Sequence, residues 1–245
     1  MVTKTTIAID AMGGDFGPQV TVASLVRVHQ ERPNVSFLLF GDEGQIQAEM
    51  DKHPKLADAC RIVHCDMAVP MDAKPSVALR QGRKVSSMWR AIDAVKQGEA
   101  QACVSAGNTG ALMAMAKIIL RTLPGIERPA IGAIWPTIRG ESVVLDVGAN
   151  TTATASQYAQ FAVMGAAYAR TVFGLSNPEI GLLNIGVEEV KGTDEVKEAA
   201  ELLAQSDLNF KGFVEGDGIG RGWAGRVARE SRGNRDNAVH AVGWS

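Results

Sequence analysis

Four short stretches of this 245-residue chain mix glycine with acidic or amide side chains, and each follows a run of apolar, strand-prone residues. They are Asp10-Ala11-Met12-Gly13-Gly14-Asp15, Ser105-Ala106-Gly107-Asn108-Thr109-Gly110, Asp146-Val147-Gly148-Ala149-Asn150 and Asn184-Ile185-Gly186-Val187-Glu188-Glu189-Val190-Lys191-Gly192. Glycine lets main-chain N–H groups approach a ligand closely and permits positive φ. The Ser105–Gly110 stretch opens directly into a helical pattern, so its N–H groups and the helix dipole suit an anion such as phosphate. Lys191 adds a point charge that can hold phosphate or polarise a carbonyl. Asp10, Asp15 and Asp146 can orient hydroxyls or amides of a ligand. Turn chemistry alone also favours Gly, Asn and Asp in such loops. Four of them at strand ends, expected on one rim, favour a binding site, because open parallel sheets bind ligands beyond the carboxyl ends of their strands.

Other chemistries lack their residues. Gly216-Asp217-Gly218-Ile219-Gly220 has its third glycine at the wrong spacing for a dinucleotide fingerprint, and Lys191-Gly192-Thr193 has the wrong order for a Walker loop. Ser105 lacks the leading glycine of a nucleophile elbow. His29, His53, His64 and His240 stand away from the glycine-rich stretches. Cys60 and Cys65 flank His64 without a second ligand pair, so no metal is expected. Cys103 sits in an apolar run and reads as a small core residue. Composition and spacing thus point to an α/β enzyme that binds an anion at its glycine-rich rim, with no evident covalent nucleophile or metal.

The elements that must position these loops alternate. Strands are expected at Thr6–Asp10, Val35–Phe40, Arg61–His64, Ala102–Ser105, Ala130–Trp135, Val143–Asp146 and Ile180–Ile185. Helices are expected at Val20–Gln30, Ser86–Gln97, Thr109–Arg121, Ala155–Phe173 and Thr193–Gln205. Strand–helix alternation with nearly continuous apolar strands predicts an α/β fold with a parallel sheet covered on both faces. Apolar residues at 46% and charged residues at 21% suit a globular chain and exclude coiled coil and disorder. A net charge of −2 gives no case for nucleic acid. Three cysteines suit a reducing cytoplasm. The N-terminal MVTKTTIAID has no apolar signal core, and the apolar stretch Leu112–Leu120 is interrupted by Lys117. Residues 221–245 carry five arginines and two acidic residues without helical or strand periodicity, and are expected to form an irregular tail beyond a domain at 1–220.

The four stretches in this order, together with Pro75-Ser76, Ser86-Ser87-Met88 and Gly125-Ile126-Glu127-Arg128-Pro129-Ala130, resemble the bacterial phosphate acyltransferases over about residues 5–220. The resemblance implies a three-layer α/β/α architecture similar to the isocitrate and isopropylmalate dehydrogenases. It implies transfer of a long-chain acyl group from acyl carrier protein to inorganic phosphate, giving an acyl phosphate for phospholipid synthesis. It also implies a homodimer in the cytoplasm, peripheral to the membrane. Phosphate would then be the nucleophile, held by Gly107, Asn108 and Thr109. Lys191 would supply electrostatic stabilisation, with Asn184 and Glu188 shaping its loop and Gly186 binding substrate or phosphate. Asp10, Gly13, Gly14 and Asp15 would line the rim and Asn150 would close it. Because acyl carrier protein is acidic, the basic stretch Arg80, Arg83, Lys84 and Arg90 is a docking candidate, a solvated helix face being the other reading. Nothing after Gly222 resembles the family, whose members are expected to continue with a further strand, loop and helices. A short-chain phosphotransacetylase acting on an acyl-CoA, or a non-catalytic fragment that binds phosphate or the carrier, are the alternative functions.

Overall fold

The structure, a computed structural model, describes residues 5–138, 140–147, 153–184, 192–221 and 238–241. It divides into two compact units, Met1–Thr122 and Leu123–Ser245.

The first unit holds strands β1 (Thr5–Asp10), β2 (Val35–Gly41), β3 (Cys60–His64) and β4 (Ala102–Ser105), all parallel, in the order β3-β2-β1-β4. Its helices are α1 (Pro18–Glu31), α2 (Glu43–Met50), α3 (Pro75–Gly82), α4 (Ser87–Lys96) and α5 (Thr109–Leu120). Side chains alternate across a strand, and here both faces are apolar. Ile9, Phe37 and Leu39 pack with Val22 and Leu25 of α1 and with Ile46 and Met50 of α2. Ala8, Leu38 and Phe40 meet Ala91 and Ala94 of α4. That double covering makes the unit three-layered. Burying both faces explains why β2 reads as an unbroken apolar run rather than an alternation. Met88 and Ile92 of α4 join Ala78 of α3 and Met115 and Ile119 of α5 in a further core. Helices α2, α4 and α5 start on side-chain caps, with Asp42, Ser86 and Asn108 accepting from the amides of Gln45, Trp89 and Ala111.

The second unit holds β5 (Gly132–Thr137), β6 (Gly140–Leu145), β7 (Glu179–Leu183), β8 (Phe210–Val214) and β9 (Ala238–Ala241), in the order β5-β6-β9-β7-β8. Its helices are α6 (Ala155–Phe173), α7 (Asp194–Ala204) and α8 (Gly216–Gly220). One sheet face, with Val143, Leu145, Ile180, Leu182 and Phe213, packs under Phe161, Ala162 and Ala166 of α6 and Val196, Ala199 and Leu203 of α7. Val144 and Val214 on the other face meet Ile219 of α8. The alanines that line α6 let it lie close against the sheet.

Three features depart from the sequence expectation. The strand ends belong to two sheets, of four and five strands, rather than to one. β5 and β6 are antiparallel, because only residues 138 and 139 separate them and a parallel crossover needs about a dozen residues or more. Within the stretch expected to be irregular, Ala238–Ala241 is a strand, parallel to both β6 and β7. Among the described residues no helix is long and apolar enough to cross a membrane.

Candidate functional site

The sharpest polar construction lies at the carboxyl ends of β1 and β4, where Asp10 and Ser105 are direct register partners. Asp10 is 3% exposed and spends both carboxylate oxygens inside the protein. Oδ1 accepts from the Ser87 hydroxyl at 2.6 Å, and Oδ2 accepts from the Ser105 hydroxyl at 2.7 Å. Ser105 Oγ in turn accepts from the Gly107 amide at 3.0 Å. One buried carboxylate therefore ties β1, the start of α4 and the loop after β4 into a single unit, through short charge-assisted bonds.

Glycine is required where these parts meet. A Cβ on Gly13 would stand 2.8 Å from Asp10 Oδ2 and from the Gly107 nitrogen, and 2.9 Å from Ser105 Oγ. Gly14 adopts φ +87°, which a side chain would strain. The loop then enters α5, with Asn108 as its N-cap. The Asn108 side chain is fully engaged: Oδ1 accepts from the Ala111 amide at 2.9 Å, while Nδ2 donates to the carbonyls of Met71 at 2.7 Å and Ala73 at 2.9 Å.

The distribution of roles differs from the expectation. Asp10 is a clamp and not a rim ligand, because both its oxygens are taken. The Gly107 amide and the Asn108 side chain hold the loop and are not turned to a ligand. The first-turn amides of Thr109 and Gly110 have no acceptor within a helix, so they can donate to a group beyond the α5 N-terminus, at the positive end of its dipole. Thr109 and Asp15 are exposed. Ser87 and Ser105 complete the construction. Both stood in quoted motifs, yet no spacing rule linked a serine at 87 to an aspartate at 10; the signal becomes visible only when β1 and β4 pair.

In the second unit, β6 and β7 both run parallel to β9, so the residues after them leave the same end of the sheet. Asp146 follows β6, buried, at φ +64°, a left-handed value that Asp tolerates better than most residues. Its amide donates to the Ile131 carbonyl at 2.8 Å. Burial, and after it the charges of Asp146 and Glu195, push the Tyr158 hydroxyl above its ordinary pKa. Asn184 follows β7. Its amide donates to the Val214 carbonyl at 2.9 Å, and its side chain lies against Gly192, which has φ +92°. Asn150, Gly186, Glu188 and Lys191 lie outside the described residues.

Glu127 lies in the Gly125–Ala130 motif that carries the family resemblance. It accepts from Gln157 Nε2 at 3.0 Å, Gln160 Nε2 at 3.2 Å and Ser156 Oγ at 3.4 Å, and Gln160 Oε1 accepts from its amide at 2.8 Å. These bonds, that from Gln157 first, hold its carboxyl below the usual glutamate range. They fasten the 125–130 loop to the first turns of α6, which Thr154 and Gln157 close as a capping box. The thiols offer no nucleophile: burial pushes Cys103 up to about 12 and Cys60 up to about 11.

A family model described as "Fatty acid synthesis protein" matches residues 5–228. The chain belongs to the fatty acid synthesis protein family. The match passes the boundary expected at residue 220 and takes in all four glycine-rich stretches. Curated relatives named "Phosphate acyltransferase" from Afipia carboxidovorans and Chelativorans sp. are each 58% identical, over 94% and 91% of this chain. The chain spans 66% and 65% of their lengths. Among solved structures it is similar to the EutD phosphotransacetylase from Staphylococcus aureus, with TM-score 0.59 and 18% identity, covering 97% of this chain and 77% of that one. A branched-chain phosphotransacylase from Enterococcus faecalis gives TM-score 0.60 and 16% identity, covering 96% and 79%. These two likenesses concern the fold of this fatty acid synthesis family member.

Proposed function

We propose that the chain transfers a long-chain acyl group from acyl carrier protein to inorganic phosphate, giving an acyl phosphate for phospholipid synthesis. The 58% identity to curated phosphate acyltransferases, across the whole stretch that carries the loops, is the observation on which this rests. A phosphate oxygen attacks the thioester carbonyl, the C–S bond breaks, and the carrier thiol leaves as a thiolate. No Ser–His or Cys–His pair is needed, because phosphate brings its own nucleophilic oxygen. The protein's task is to place the two reactants together and to stabilise the developing oxyanion.

In this reading the amides of Thr109 and Gly110 hold phosphate at the α5 N-terminus. The Asp10–Ser105–Gly107 chain fixes that loop, with Gly13 and Gly14 packed beside it and Asp15 on the exposed rim. Lys191 supplies charge to the oxyanion, Asn184 and Glu188 shape its loop, Gly186 binds substrate or phosphate, and Asn150 closes the site. The three layers of the first unit support an architecture of the isocitrate and isopropylmalate dehydrogenase kind. Residues 1–220 would carry the chemistry, with β9 from the stretch 221–245 completing the second sheet. The working form would be a cytoplasmic homodimer that touches the membrane surface peripherally.

The test offers palmitoyl-acyl carrier protein, palmitoyl-CoA and acetyl-CoA separately with phosphate, and traps acyl phosphate as its hydroxamate. The proposal expects product from the palmitoyl carrier thioester and its loss in Lys191→Ala. Product from acetyl-CoA alone would replace it with short-chain phosphotransacetylase activity. No product from any donor would leave a fragment that binds without turnover.

A further inference from the structure

A cavity whose lining includes none of the β1–β4 loop residues lies in the first unit. It is open, has a volume of about 600 Å³ and is bordered by β3, α4 and the end of α5. Arg61, Arg83, Lys84, Arg90 and Lys96 line it, against Asp93 and Glu99, so the lining carries an excess of positive charge. The five cations come from three separate parts of the chain, which is why sequence proximity grouped only some of them. Arg80, part of the basic stretch in sequence, does not line the cavity, while Arg61 and Lys96 do.

Two of the cations are already anchored. Arg90 Nη1 donates to the His64 carbonyl at 2.5 Å, and Arg61 stands 3.6 Å from Glu99. Arg83, Lys84 and Lys96 have no ion-pair partner among the described residues, and all three are exposed. Lys84 is held at φ +67°, in the left-handed region that glycine adopts without strain. The segment is pinned on both sides, since the amides of Val85 and Ser86 both donate to the Gly82 carbonyl and Ser86 caps α4. A cation thus occupies a strained backbone position in a turn closed by main-chain hydrogen bonds to Gly82. Ile118 shares the lining and is 48% exposed, which places apolar area beside the charge. A preorganised cationic groove with an apolar margin fits an acidic protein surface, recognised by charge complementarity.

We propose that this groove is the docking surface for the acidic carrier protein of the acyl donor. The assignment rests on the carrier-dependent reading above and adds the place where the carrier sits. The affinity of holo-acyl carrier protein for the purified 245-residue chain, measured by fluorescence anisotropy at low and high salt, tests it. Arg83→Glu with Lys84→Glu is expected to weaken binding about tenfold and to reduce its salt dependence. The same two charge changes at Arg27 and Arg32, which do not line the cavity, are expected to shift the dissociation constant less than about twofold. Lys84→Gly relieves the backbone strain, so it is expected to raise the unfolding midpoint while weakening carrier binding, which separates docking from folding. Carrier binding unchanged in the Arg83/Lys84 reversal overturns the groove. If that reversal binds normally while wild type makes acyl phosphate from palmitoyl-carrier protein, only the groove falls. If wild type binds no carrier protein yet makes acyl phosphate from palmitoyl-CoA, the carrier reading falls and the groove with it.

Discussion

Asp10→Asn is the most informative single change at the β1–β4 loops, because it keeps size and removes one acceptor. Asp10 receives hydrogens from two serines, at 2.6 Å and 2.7 Å, in a site only 3% exposed. An asparagine has one carbonyl oxygen, so its amide nitrogen must face one of those hydroxyls. Toward Ser87, which is fully buried, the hydroxyl hydrogen would have to turn away from its acceptor with no water to meet it. Toward Ser105, an oxygen that already accepts from Gly107 would receive a second donor. Either way one bond is lost and the other is no longer charge-assisted, at a cost of about 1.5–3 kcal/mol. Urea unfolding followed by circular dichroism reads the loss. Because Ser87 and Asp10 share the bond, the Asp10→Asn and Ser87→Ala changes should be non-additive by about 0.5 kcal/mol or more. The Michaelis constant for phosphate should rise with the loosened Gly107 loop. A destabilisation below about 0.5 kcal/mol, the range of ordinary surface changes, would refute the clamp.

Other consequences follow from the same geometry. Gly13→Ala places a methyl within 2.9 Å of Asp10, Ser105 and Gly107, and overpacking of that kind costs about 1–3 kcal/mol, readable in the same urea series. Thr154→Ala opens the capping box of α6 and should cost about 1 kcal/mol. Glu127 titrates below its unfolded value, so its bonds stabilise the fold above the ordinary glutamate range and are lost as pH falls through the depressed value. Gln160→Ala should move that titration upward by carboxyl NMR, and an unmoved titration would remove Gln160 as a cause. Cys103, pushed up to about 12, stays a neutral thiol at pH 8, so alkylation by iodoacetamide should be slow in the folded chain and fast in urea.

The elements with strong apolar patterns were legible. Ala155–Phe173 is α6 to the residue, and β4 spans Ala102–Ser105 as read. Elements with little apolar signal were not. α2 buries only Ile46 and Met50 and depends on Asp42 for its start, and α3 begins on Pro75 among polar residues. β9, four residues long, takes its place by pairing between β6 and β7, which no local pattern announces. The site was legible as loops but not as bonds. Glycine and amide composition pointed to the ends of β1 and β4. The inward use of Asp10, Gly107 and Asn108 arises from contacts between residues up to 95 positions apart.

The central claim is that the loop clamped by Asp10 holds phosphate for acyl transfer. The measurement that meets it most directly is formation of acyl-[32P]phosphate from palmitoyl-carrier protein and labelled phosphate by the purified chain, with Gly13→Ala beside it. The account predicts label in the acyl phosphate for wild type and a large loss for a folded Gly13→Ala chain. Equal labelling by both chains would contradict it.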